Sequence, residues 1–398
     1  MGACGGRSAV VVINSKMNPK IERPKYEPIP MNLTTLDKEH NILSSIDIDY
    51  CVKFSIGPFF LCKHPPSIFS QVFKKEVKDS YDSLVLYTQY DSIITKQTIS
   101  EKNVNEIKQF VLSNNITNIN TLSNDDIKNH LLYCSNMIFR MGLYNKVLSE
   151  IELSDSYKIE HPDNNEHSVS DSNESYISKA KGQIFLDINR TYPKLELSCD
   201  KDYCKNFYSI LYEIALRNEN VTYTQGMNFL CGFLLMLTGN SKEDAFYFFC
   251  KLFSLKSKKF NICFEQCFFL GFDLLNKYIG LFNQLLQEQH KDIYDTIVSL
   301  GVVSELWFGK WIMLLFVTNF DFEMCLKFWD IILAYGLDYA VLISIDVCEV
   351  LKEKILKCES IDQFNKVIYN GNVKMSPKEK GELFKLIFSD IKSNKYNL

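Results

Sequence analysis

No apolar run in this sequence approaches the roughly 18 to 20 residues that a membrane-crossing helix needs. The longest, Phe229 to Leu237 and Trp311 to Val317, stop well short of it, so no transmembrane helix is expected. Nor is there a charge excess of either sign. The 44 basic and 48 acidic side chains leave a formal net charge of -4, too little field to draw nucleic acid, and no DNA or RNA partner is expected. No secretory leader opens the chain, and its 13 cysteines are scattered and odd in number. Free thiols in a reducing compartment, and a cytoplasmic location, are the reading. A glycine-rich phosphate loop ending in Lys-Ser or Lys-Thr is missing, which excludes a P-loop nucleotide hydrolase. Neither Cys62-x-His64 nor Cys263-x-x-x-Cys267 has a matching second pair at zinc-site spacing. Cys263 and Cys267 fall one helical turn apart among Phe264, Phe268 and Phe269, where they read as filling core space. The six histidines are dispersed, with no recognisable nucleophile arrangement.

What the chain does contain is enough apolar material to fold. Apolar residues make up 46% and charged residues 23% of 398, the balance of a globular protein large enough to bury a core without disulfides or metals. Residues 1–45, with Pro19, Pro24, Pro28 and Pro30, read as an extended leader. Its first residues, Met1-Gly2-Ala3-Cys4-Gly5-Gly6, offer Gly2 for myristoylation and Cys4 for palmitoylation, although Gly6 replaces the usual Ser or Thr. One acyl chain binds membranes only marginally, so Cys4 or the basic residues Arg7, Lys16, Lys20, Arg23 and Lys25 would have to supply a second attachment. The alternative is an unmodified tail. Residues 46–103 are mixed: Cys51 to Ile56 alternates like a strand, while Pro58, Pro65 and Pro66 break any long element.

From residue 104 helical spacing takes over and continues to about 392. Val104, Ile107 and Val111 share one face, and Ile127, Leu131, Leu132 and Met137 another. Ser154 to Ser175 is rich in Ser, Asp and Asn and reads as a disordered acidic surface insertion, too polar to bury. Beyond it, Phe207, Leu211 and Ile214 line one helical face, and Asn218-Glu219-Asn220 supplies a polar stop. Phe229 to Leu237 is apolar all round, as in a helix buried within a bundle, with Gly239 placed to cap it. Ser241 with Asp244 predicts the start of the next helix. Asp321 predicts another, with Phe322, Cys325, Trp329 and Ile332 inward and Gly336 at its end. The pattern predicts an all-α class, helices stacked on helices.

Two segments carry candidate chemistry. In Gln183-Ile184-Phe185-Leu186-Asp187-Ile188-Asn189-Arg190-Thr191-Tyr192-Pro193, residues Ile184, Asp187 and Arg190 recur every three positions. On a helix this puts an apolar anchor, a carboxylate and a guanidinium on nearly one face, and Pro193 stops the helix just beyond. Alone, the pair reads as a surface ion pair worth about 0 to 1 kcal/mol. In Tyr223-Thr224-Gln225-Gly226-Met227-Asn228, the glutamine precedes a glycine directly before the buried helix. A loop residue fixed to a rigid element is well positioned, and Gly226 permits close backbone approach. Alone, this reads as a turn.

Together the two segments resemble the signature of the TBC family, GTPase-activating proteins for Rab-type small GTPases. Ile184, Asp187, Arg190, Thr191 and Pro193 match its first motif; Tyr223, Gln225, Gly226 and Met227 match its second, with Arg190 and Gln225 separated by 35 positions. Trp311 to Phe316, Phe328-Trp329-Asp330 and Gly336 resemble its later helices, and Arg140 with Tyr144 to Leu148 loosely resembles its entry helix. The resemblance covers roughly Asn129 to Val350. It implies an all-α TBC-type domain in which Arg190 is an arginine finger supplied in trans and Gln225 orients the attacking water. Asp187 would orient Arg190, with Tyr223 and Asn228 supporting the Gln225 loop or touching the partner. The implied partner is a Rab-type GTPase in its GTP form. It carries the GTP and Mg²⁺, so this chain needs no cofactor of its own, and the implied setting is vesicle trafficking; lipidation at Gly2 or Cys4 would add peripheral membrane association through the N-terminus. The competing reading is a non-catalytic helical module that binds a small GTPase without accelerating it.

Overall fold

A computed structural model of the chain describes residues 123–396, apart from 134–136, 159–170, 193–199, 218–222, 239, 369–372 and 374. Gly2, Cys4, the leader, the mixed segment 46–103 and the face formed by Val104, Ile107 and Val111 lie outside the described residues, as do Pro193 and Gly239. Among the described residues there are helices and one isolated antiparallel bridge, Lys256 with Cys263, but no strand. The class is all-α.

Helices α1 (Asn124–Tyr133) and α2 (Met137–Glu150) lead into a one-turn helix α3 (Asp155–Lys158), then α4 (Asp171–Arg190) and α5 (Lys201–Arg217). At the centre runs α6 (Met227–Leu237), followed by α7 (Lys242–Ser254) and a 3₁₀ turn at Phe264–Cys267. The chain continues through α8 (Asp273–Gln289), α9 (Lys291–Ser299), α10 (Ser304–Met313), α11 (Phe322–Tyr335) and α12 (Tyr339–Val350). Short helices α13 (Lys352–Leu356) and α14 (Ile361–Ile368) precede the last, α15 (Pro377–Ser393).

Local chemistry sets many of these boundaries. Ser241 caps α7 by accepting from the Asp244 N–H, and Asp321 caps α11 by accepting from the Met324 N–H. Each supplies an acceptor to a backbone donor that the first helical turn leaves unpaired. Gly336, with φ 124, ends α11. Ser376 and Glu379 form a reciprocal capping box at α15. Every residue of α6 except Phe229 is buried, as its all-round apolar character predicts. It packs against α4, α5 and α7, so the chain entering its N-terminus is held by the core of the domain.

Aromatic rings make up much of the core, among them two packed groups. Phe253 stacks on Phe268 with centroids 4.9 Å apart and meets Phe264 edge-on at 5.7 Å. Phe282, Trp307, Phe308 and Trp311 form the second group, with Phe282 stacked on Phe308 at 4.0 Å. Cys263 and Cys267 are buried beside the first group. The Tyr144 hydroxyl fastens α2 to α11, donating to the Asp330 carboxylate at 2.9 Å.

The structure departs from the sequence reading in two places. Ser154 to Ser175 is helical at both described ends: α3 buries Tyr157, and α4 begins at Asp171. The middle, 159–170, lies outside the described residues. Polar composition reports that side chains avoid burial, but a helix satisfies its backbone internally whatever its exposed side chains are. Second, the apolar run from Trp311 is not one helix. It ends at Met313, and Leu315 and Phe316 take positive φ values of 43° and 71°. Both side chains are buried, and the Trp329 indole donates to the Leu315 carbonyl at 3.0 Å.

Candidate active site

The first segment forms the last turns of α4. Ile184, Asp187 and Arg190 do share a face, but they sit at different depths. Ile184 is sealed in the core, Asp187 is 0% exposed, and Arg190 emerges where the helix ends, its side chain 48% exposed. The pair is therefore not a solvated surface ion pair, since its acidic partner lies wholly inside the protein. Burying a carboxylate is costly unless donors surround it, and here three do. Arg190 Nε donates to Oδ1, Gln183 Nε2 donates to the same oxygen at 3.3 Å, and the Tyr223 hydroxyl donates to Oδ2.

That last bond joins the two segments. Burial, and then the bond to Asp187, pushes the Tyr223 hydroxyl well above the usual tyrosine range, so it remains a donor. One carboxylate thus aims the guanidinium through one oxygen and holds the start of the Gln225 loop through the other. A second link runs in parallel. Asn228, buried in the first turn of α6, donates from Nδ2 to Thr191 Oγ1 at 2.8 Å. Thr191 in turn donates to the Asp187 carbonyl at 2.6 Å. The Asn228 Oδ1 accepts the Gly226 N–H at 2.9 Å, which fixes the backbone just after Gln225. A third contact comes from Tyr192, whose hydroxyl donates to the Phe229 carbonyl at 3.0 Å.

Glycine is required at two positions here. Gly226 has φ 119, a conformation side chains rarely adopt, and a Cβ there would stand 3.0 Å from Leu314 Cδ2. A Cβ on Gly232 would stand 3.0 Å from both the Tyr192 ring and the Tyr203 hydroxyl, so this glycine lets α6 approach the end of α4. Met227 is buried and anchors the loop in the core, while Gln225 itself is exposed. Two exposed groups, a cation and an amide, thus project from segments locked to each other by buried hydrogen bonds. Thr191 and Gln183 belong to this network, and sequence reasoning assigned neither a role. Thr191 stood within the first motif, but its partner lies 37 residues away.

Known proteins match this chain in sequence and in fold. The sequence model of the Rab-GTPase-TBC domain matches residues 138–356, more than half of the chain. The human growth hormone-regulated TBC protein 1 is 26% identical over 191 residues, which cover 46% of this chain and 54% of that protein. The Caenorhabditis elegans Rab GTPase-activating protein tbc-11 is 27% identical over 184 residues, covering 44% of this chain and 18% of that protein. The chain therefore spans about half the length of the first relative and a smaller part of the second. Among solved structures, the Chlamydomonas flagellar RabGAP TBC domain superposes with a TM-score of 0.53 at 13% identity, covering 73% of this chain and 92% of that one. The Ypt/Rab-GAP domain of Gyp1p gives 0.50 at 16% identity, covering 74% and 99%. By sequence over more than half its length, and with an all-α fold shared with these domains, this chain belongs to the Rab-GTPase-TBC domain family.

Proposed function

We propose that this chain accelerates GTP hydrolysis by a Rab-type small GTPase, with Arg190 and Gln225 entering the partner's nucleotide site together, and so limits the GTP-bound lifetime that governs vesicle traffic. The observation that carries the reading is that buried Asp187 and Asn228 tie the exposed Arg190 guanidinium to the backbone segment on either side of exposed Gln225. A module that only binds has no need to tie a guanidinium to the loop that carries an exposed amide.

GTP hydrolysis passes through a loose transition state, with charge spread over the transferring phosphoryl oxygens. Acceleration then comes from neutralising that charge and placing the water. Arg190 supplies the first, its planar fork held by Asp187; an arginine supplied in trans contributes about 10³ to 10⁵ in rate, or about 4 to 7 kcal/mol. Gln225 supplies the second, since its amide donates to a phosphoryl oxygen while accepting from the attacking water. GTP and Mg²⁺ arrive with the partner.

The test is single-turnover hydrolysis across a panel of GTP-loaded Rab-type GTPases. Arg190→Ala and Gln225→Ala should each reduce the stimulated rate by orders of magnitude and leave the helical circular dichroism unchanged. Full stimulation by either variant refutes the assignment, and binding without stimulation by the unaltered chain favours the adaptor reading.

A further inference from the structure

We infer that Leu270 and Leu186 are the apolar contacts by which the surface around Arg190 and Gln225 grips its GTPase; this rests on the function proposed above. Leu270 is fully exposed, at the tip of the loop between the 3₁₀ turn and α8. The loop is built to present it. Phe268 is buried against Phe253 and Phe264, Gly271 and Phe272 both take positive φ, and the Phe272 N–H donates to the Phe269 carbonyl at 2.9 Å. The Asn276 amide closes the turn on the Gly271 carbonyl at 2.8 Å. A leucine on a tip fixed at both sides does not fold back to hide itself.

Position supplies the occupant. The Thr224 hydroxyl lies 3.5 Å from the Phe268 carbonyl, so the residue before Gln225 touches the base of this loop. Leu186, 61% exposed, precedes Arg190 by four residues on α4. That is about 6 Å along the axis and on the neighbouring face. A protein that covers about 800 Å² leaves a footprint about 30 Å across, so a GTPase receiving both polar groups spreads over these residues. Exposed leucines are ordinary when scattered; these two border the point where the partner's surface must arrive. Val298 on α9, Val303 just before α10 and Leu306 on α10 are also exposed, with nothing to name an occupant. The pattern is that of an interface: a polar reactive centre bordered by apolar side chains that become buried and exclude water.

The experiment uses the full chain with whichever GTP-loaded Rab-type GTPase it stimulates most, and measures single-turnover hydrolysis against chain concentration. Burying a leucine corresponds to roughly ten- to a hundredfold in affinity. Leu270→Ala should therefore raise the half-saturating concentration by about tenfold, and Leu270→Asp by more, with the maximal rate within about twofold of the unaltered chain. Leu186→Ala should move it the same way, and Leu270→Met should restore it. Arg190→Ala should show the opposite split, with maximal rate lost. An unchanged half-saturation in both Leu270→Asp and Leu186→Asp overturns the docking surface and leaves the proposed activity standing. Failure of the unaltered chain to bind or stimulate any GTPase of the panel overturns both.

Discussion

The link between Thr191 and Asn228 has a direction, and that direction makes it testable by a single-atom change. The Gly226 N–H can only donate, so the oxygen of Asn228 faces it and the amide nitrogen faces Thr191. The Thr191 hydroxyl has one proton, already given to the Asp187 carbonyl, so it receives the Asn228 amide on a lone pair. Asn228→Asp keeps the oxygen for Gly226 but sets a carboxylate against a hydroxyl with no proton left to give. This variant should therefore lose the Thr191 link as Asn228→Ala does, while keeping the Gly226 bond, although it differs from the wild type by one heavy atom. Losing a buried hydrogen bond and leaving its partner without one costs about 1 to 3 kcal/mol. Alanine also frees the Gly226 N–H, for a total of about 2 to 4 kcal/mol. A domain stable by about 5 to 15 kcal/mol remains folded. The effect on rate should be larger than the lost stability suggests, because a displacement of about 1 Å in a positioned group costs about a hundredfold. Single-turnover hydrolysis should show maximal rate down about 10- to 100-fold, with thermal unfolding still cooperative. Thr191→Ser should retain activity, and Thr191→Val combined with Asn228→Ala should cost less than the sum of the two, since both remove the Thr191–Asn228 bond. Wild-type rates in Asn228→Asp would show that the Gln225 loop does not depend on this link.

Two further predictions concern stability. Asp346 on α12 is pushed up to about 8 by burial and then by the negative charge of Asp390 on α15, and its Oδ2 has no hydrogen-bond partner. An unfolded aspartate titrates near 3.9, so between that value and about 8 the folded chain holds a proton that the unfolded chain has released. Its contribution is complete below about pH 4 and is lost as pH rises through 8. Denaturant melts should show stability falling by about 1 to 3 kcal/mol from pH 6 to pH 9, and Asp346→Asn should flatten that slope; a steeper slope in the variant would contradict the assignment. Asp338, buried at the start of α12, accepts from Ser257 Oγ at 2.5 Å, the Lys258 N–H at 2.7 Å and the Tyr278 hydroxyl at 2.9 Å. Asp338→Ala should cost about 3 to 5 kcal/mol by leaving these donors unpaired, and a melting temperature unchanged within 2 °C would rule the clamp out.

The sequence by itself determined what depends on neighbours along the chain. Ser241 and Asp321 were legible as caps because each bonds a backbone N–H three residues on, and the burial of α6 was legible because its residues are apolar on every side. The spacing of Ile184, Asp187 and Arg190 likewise follows from helical geometry alone. Composition misled where it stood in for conformation, at the helical ends of the 154–175 stretch, since polarity says where side chains go and not whether the backbone coils. Depth was decided only by the fold. Asp187 could have been a solvated partner of Arg190; what buries it is α4 packing on α5 and α6, and what makes that burial tolerable is Tyr223, 36 residues later. The link between Thr191 and Asn228, and the touch of Thr224 on the Leu270 loop, have the same origin. Hydrogen bonds between distant residues exist only once packing has brought donor and acceptor together, and here that packing ties two short motifs into one hydrogen-bonded unit.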